Sequence, residues 1–184
     1  MHRFVPALLC LLAAAPAHSG EHLQVPRVPG WVAVASYAGP DSEVTELVPE
    51  GEPPEAAGRR MVVQAFRDSA LAVAAYLEMV AINSAALCSD GASAEPPRLG
   101  RLGPLEAGSR LVSCGRTKTE GKGEVALHYA IRGRDAFYVL ARAWRGAPFA
   151  AGANPVARRE MDDWINFMRA VAVCDTRDPA RPCR

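Results

Sequence analysis

The sequence predicts an α+β fold, an antiparallel sheet packed by two main helices and stapled by disulfides. Three observations predict it. Short strands and single helices follow one another in the order strands, helix, strands, helix, which suits a layered α+β fold and not an alternating Rossmann type. Two stretches carry apolar residues at helical spacing, so that two helices covering one sheet would bury both stripes. Four cysteines lie beyond an apolar N-terminal run, an even number suited to disulfides in an oxidising compartment.

Composition bounds the reading. The 184 residues are 49% hydrophobic and 22% charged, which is globular and neither disordered nor fibrous. There are 21 basic and 20 acidic residues, for a formal charge of +1. No global field therefore selects nucleic acid or anionic lipid. One sizeable domain fits this length, and its core needs no metal.

Residues 1–17 read as a cleaved export signal. His2 and Arg3 form a weak basic start, residues 5–15 are apolar apart from Pro6, and Ala15-Pro16-Ala17 supplies an A-x-A cleavage site. Cleavage after Ser19 is the alternative. A membrane span needs ~20 apolar residues, and this run has about half of that. A lipoprotein signal fits less well, because Cys10 sits inside the run behind Leu8 and Leu9 instead of small residues. Residues 18–30 form an extended lead-in in which Pro26 and Pro29 block regular structure, and residues 31–184 form a single α+β domain.

Residues 31–37 alternate poorly but are rich in valine and aromatics, which predicts a strand. Gly39-Pro40-Asp41 turns the chain into a returning strand over 43–48. Residues 49–58 hold three prolines and two glycines and read as loop, and 59–66 as a third strand. Asp68 is placed to cap a helix over 69–87. One face of that helix holds Val73, Tyr76, Leu77, Val80, Ser84 and Leu87. A second ridge of Leu71, Ala75, Met79 and Ile82 runs on the far side, interrupted by Glu78. A membrane span is rejected, because Glu78 near the bilayer centre would cost roughly 2.5 kcal/mol or more. The second ridge is either covered by a loop or is a docking surface for a partner.

Residues 89–108 read as a long loop with a short strand near 99–102. Strands over 110–117, 124–132 and 135–144 follow as a meander. In the middle strand Val125, Leu127, Tyr129 and Ile131 point one way, and Glu124, Ala126, His128 and Ala130 the other, as in a sheet with one well-packed face. Asn154 as cap and Pro155 at the first helical position open the last helix. Its buried stripe is Met161, Trp164, Ile165, Met168 and Val171.

The mature cysteines Cys88, Cys114, Cys174 and Cys183 allow three pairings. Cys174–Cys183 is favoured, since residues 175–179 turn easily, which leaves Cys88–Cys114. Closing that loop contributes roughly 3 kcal/mol on the chain-entropy model. A zinc site fits less well. No pair has C-x-x-C spacing, and His128 is the only histidine within 31–184. No cofactor-binding or metal set is read from the sequence.

Enzyme signatures such as G-x-S-x-G, H-E-x-x-H, a Walker loop or G-x-G-x-x-G are absent. His128 could serve as a base, but no neighbour in sequence identifies an orienting carboxylate. Asp41, Glu43, Glu46, Glu50, Glu52 and Glu55 read as a charged hairpin edge that blocks strand addition. Arg98, Arg101, Arg110, Arg116, Lys118 and Lys122 make the middle of the chain basic. These opposed regions either steer a partner or pair within the monomer.

Glu46-Leu47-Val48-Pro49-Glu50-Gly51-Glu52, followed by Met61-Val62-Val63-Gln64, resembles a group of uncharacterised exported bacterial proteins with a PsbP-like fold. Trp144-Arg145 at a strand end, the Cys174-Asp175-Thr176-Arg177 segment and the closing Pro182-Cys183 are similar to the same group. The resemblance implies an α/β/α sandwich and a scaffolding or binding role, and it transfers no catalytic residue. The leading expectation is an exported, periplasmic or secreted non-enzymatic protein that binds another envelope component. It involves no nucleic acid, and the mature chain has no transmembrane segment. The alternatives are a hydrolase-like enzyme whose scattered site includes His128 with acids of the hairpin, and a carrier of a small ligand between sheet and helix.

Overall fold

The computed structural model describes residues 20–89, 92–150 and 152–183. The export signal expected over residues 1–17 lies outside them. The elements in chain order are β1 (Glu21–Gln24), β2 (Trp31–Ala38), β3 (Ser42–Pro49), β4 (Arg59–Arg67), α1 (Val73–Leu87), β5 (Ala92–Ala94), β6 (Arg98–Leu102), β7 (Leu105–Cys114), β8 (Gly123–Arg132), β9 (Ala136–Gly146), α2 (Arg158–Arg169) and β10 (Ala172–Asp175). Eight strands form one antiparallel sheet, ordered β2-β3-β4-β9-β8-β7-β5, with β6 also on β7. β1 and β10 make a separate two-stranded sheet, with Glu21 opposite Asp175.

Side-chain size along β8 assigns each helix to a face. On one face Val125, Leu127 and Ile131 join Tyr138 and Leu140 of β9 beneath Trp164 and Met168 of α2. On the other, Ala130 with Phe137 and Val139 receives Val73 and Leu77 of α1. Further along that face, Val80 rests on Val112 and Ala126. The fold is therefore an α/β/α sandwich. The expectation of one well-packed face is corrected, since Ala126 and Ala130 leave room on the second face for Val73, Leu77 and Val80 to seat beside Phe137, Val139 and Val112. Gly108 marks the tightest approach. A Cβ there would lie 2.9 Å from Val73 Cγ1 and 3.0 Å from Leu99 Cδ2.

Several boundaries differ from expectation for local reasons. α1 begins at Val73 behind Ala72, with no side-chain cap. Asp68 instead takes φ 52°, a left-handed turn conformation that aspartate tolerates, and Ser69 Oγ accepts from the Leu71 N–H. α2 begins at Arg158, without a side-chain cap bond. Asn154 Oδ1 accepts from the Val156 N–H at 3.0 Å, which makes an Asx turn ahead of the helix, so Pro155 is not its first residue. The expected loop over 89–108 is mostly hairpin: β6 turns at Gly103, φ 57°, into β7, which starts five residues before the expected strand. The poor alternation of β2 comes from a bulge at Val34, between the pairs Ala33–Leu47 and Ala35–Glu46. The sheet edge is β2 and not acidic β3. The acids of residues 41–55 therefore do not guard it, and the bulge in β2 is its protection. Pro26 ends β1 without preventing it.

Both expected disulfides form, Cys88–Cys114 and Cys174–Cys183. The first ties the C-terminal end of α1 to the end of β7. The second closes the tail behind β10.

Depth of burial separates the two faces of α1. Leu77 is fully buried and Ile82 is 67% exposed. Leu77→Ala is expected to cost about 2–5 kcal/mol in urea unfolding, and Ile82→Ala to stay within about 0.5 kcal/mol.

Candidate functional site

α1 is apolar nearly all round. Val73, Leu77 and Val80 face the sheet, and on the opposite side Ala75, Met79 and Ile82 lie in solvent. Met79 is 43% and Ile82 67% exposed. Leu87, at the end of the helix, is exposed as well. A helix of this kind is normally enclosed on every side. The one charge on its outward half, Glu78, is engaged by Arg110 Nη1 at 2.8 Å. The structure separates Leu71 from the other members of the expected ridge. It precedes the helix and packs, half-buried, against the Val73, Leu77 and Phe137 cluster.

His128 lies under α1 on the same sheet face as Arg110, its cross-strand neighbour. Its Nδ1 is 3.4 Å from the Tyr76 hydroxyl. Burial pulls the imidazole down to about 4 and pushes the Tyr76 phenol up to about 12. The hairpin acids do not reach it. Glu46, Val62, Ala141 and His128 share one rung of the sheet. Three strand spacings of ~4.8 Å therefore separate Glu46 from His128. Glu46 is instead held by Arg60 at 2.7 Å.

The opposed acidic and basic regions pair locally. Glu43 meets Arg67, Arg98 meets Glu95 and Lys122 meets Glu120. None of these pairs joins the acids of 41–55 to the basic middle of the chain.

Among the described residues, a cleft of about 350 Å³ lies between the β6–β7 turn and the C-terminal tail, and two others open over the sheet on its α2 side. The larger, about 750 Å³, lies where β1 crosses the ends of β3, β4 and β9, and Glu21, Glu43, Arg67, Asp135 and Tyr138 are among its walls. Its charges already satisfy one another. Glu43 holds Arg67, Asp135 holds Arg177 at 2.6 Å, and Glu21 accepts from the Arg134 N–H at 2.9 Å. The smaller, about 260 Å³, lies between α2 and strands β7 and β8. Met161 and Ile165 of the expected buried stripe are only partly buried and line it. The sequence allowed a pocket between sheet and helix but identified none of its walls, which come from β6, β7, β8 and α2 together. Among the described residues, no group of three or more His, Cys, Asp or Glu could hold a metal.

No protein-family model matches the sequence, and no curated protein is a significant sequence match. Among solved structures, the chain is similar to the Ran-binding protein Mog1p of Saccharomyces cerevisiae. That match is 15% identical with a TM-score of 0.45, over 79% of this chain and 78% of the other. It is also similar to LpqN of Mycobacterium tuberculosis, described as involved in cell envelope biogenesis. Here identity is 13% and the TM-score 0.45, over 86% of each chain. Nothing about this chain's partner follows from likenesses this distant.

The partly buried imidazole of His128 makes stability depend on pH. The folded state disfavours the proton on His128, whose value falls from 6.5 to about 4. Between those values the unfolded chain binds a proton that the folded chain does not, so stability falls as pH falls through the window, by up to about 3 kcal/mol. The groups facing it are Tyr76 and Arg110, with Glu78 on the far side of Arg110. Asp175 acts in a lower window. Hydrogen bonds from Arg177 hold its carboxyl well below the usual range, so its contribution is lost only below about pH 4. Urea midpoints from pH 7 to pH 4 should fall in the wild type and flatten in His128→Gln.

Proposed function

We propose that this chain is an exported, non-enzymatic binding protein that docks another envelope protein on the outward face of α1. The observation that carries the reading is the exposure of Met79 and Ile82 on a helix whose sheet-facing side is already fully packed. Packing does not need these side chains, and completing their burial would recover about half of the roughly 1.5–3 kcal/mol that full burial of such a side chain gives. A partner surface is the natural source of that burial. Two disulfides support an extracytoplasmic location, because such bonds persist where the compartment is oxidising. No helix among the described residues is long and apolar enough to cross a membrane.

The enzyme reading asked for His128 beside a carboxylate in a deep pocket. Its hydrogen-bond neighbour is instead the Tyr76 phenol, and it lines none of the clefts described above.

The test is a parallel capture from an envelope fraction with tagged wild type, Met79→Glu and, as a control on the wet face of α2, Asp162→Ala. Wild type and control should retain one common partner that Met79→Glu loses, with melting temperatures nearly equal across the three. A collapse in the stability of Met79→Glu would make the ridge part of the core and end the proposal. Equal retention by all three would end it as well.

A further inference from the structure

The cleft beneath α2 has a chemistry separate from the outer face of α1. Its floor is two rungs of the sheet that face α2, with the Arg110–His128 rung between them facing the other way. One is apolar, with Leu111 of β7 opposite Leu127 of β8. The other is polar, with Arg98 of β6 opposite Ser109 of β7 and Ser109 opposite Tyr129 of β8. Cross-strand neighbours stand ~5 Å apart, so a guanidinium, a hydroxyl and a phenol follow one another along one line. The roof is Met161, Ile165 and Met168 of α2. Methionine side chains adapt their shape to what they pack against, and two of the three roof residues are methionines.

The rim is cationic. Arg98 and Arg169 border the cleft against one carboxylate, Glu95. The Arg98–Glu95 pair spans 3.4 Å with side chains 76% and 49% exposed. An exposed pair of this kind holds weakly, so an incoming anion exchanges readily for Glu95. The Tyr129 phenol is a hydrogen-bond donor at neutral pH, and burial pushes its ionisation further up. A cavity of about 260 Å³ is slightly smaller than a drug-sized pocket of roughly 300–1,000 Å³. It therefore suits one short chain better than a two-chain lipid.

We propose that this cleft binds a single-chain carboxylate, with its hydrocarbon between the α2 roof and Leu111 and Leu127, and its head on the Arg98–Ser109–Tyr129 rung with Arg169 at the rim. The polar rung and the apolar rung are adjacent on this face, which matches the junction between the head and the chain of such a molecule. A cationic head would add a third positive charge beside Arg98 and Arg169, against the single carboxylate of Glu95.

The test is titration calorimetry of the oxidised full chain with decanoate, decan-1-ol and decyltrimethylammonium. Decanoate should bind at least tenfold tighter than the other two, with a preference that shrinks as salt rises. Arg98→Ala with Arg169→Ala should remove the preference and leave the affinity for decanol unchanged. Both residues are exposed, so this variant keeps the fold. Ile165→Trp should weaken binding of all three probes by filling the cleft. Absence of binding by any probe would overturn the proposal. So would equal affinity for decanoate and decyltrimethylammonium, or an arginine variant that keeps the preference.

Discussion

The alternation of side-chain size along β8 is the constraint on which the remaining architecture depends. Val125, Leu127 and Ile131 raise one face of the sheet centre, and Ala126 and Ala130 lower the other. A helix with a tryptophan and methionines on its stripe fits over the first, and a helix contributing valine and leucine fits down onto the second. Strand and helix are thus matched by volume, and each helix has one face on which it packs to density. Gly108 extends the low face into β7, where a larger residue would lift Val73 from its seat.

A second device holds the chain ends. Glu21 and Asp175 both have fully buried carboxylates, and they sit opposite each other where β1 pairs with β10. Arg177 reaches Asp175 at 2.8 Å and Asp135 at 2.6 Å, and Arg181 approaches Glu21 at 3.4 Å. Buried carboxylates are tolerated because guanidiniums and backbone N–H groups satisfy them. The Cys174–Cys183 bond fixes the segment that carries both arginines. The residues that look in sequence like a polar tail are therefore a closure between two strands distant in the chain.

Much of the fold was legible because it rests on periodicity and on turn residues. The meander β7 to β9, the Trp164 and Met168 part of the α2 stripe and the Cys174–Cys183 pairing are local patterns that packing reinforced, and Cys88–Cys114 followed from them by elimination. What was not legible depended on tertiary partners. Nothing in residues 21–24 announces a strand, because its partner lies in β10, at the other end of the chain. Asp68 and Asn154 have the composition of caps, but the backbone used them in turns just ahead of each helix. The second face of β8 looked unpacked because alanines carry little hydrophobic signal, although closeness is what they provide. The outer ridge of α1 was visible as spacing, except that Leu71 fell outside the helix once its start moved to Val73. A pocket between sheet and helix was one of the readings the sequence allowed, but its lining was hidden, since Arg98, Ser109 and Tyr129 align only through the register of three strands.

The pairing of β1 with β10 also sets a direction. Leu23 and Val173 pack into the cluster on the α2 side of the sheet, so the described chain begins and finishes on that side. The outward face of α1 is at the opposite pole. A probe or surface attached at residue 20 would therefore lie on the α2 side and leave the outward face of α1 open.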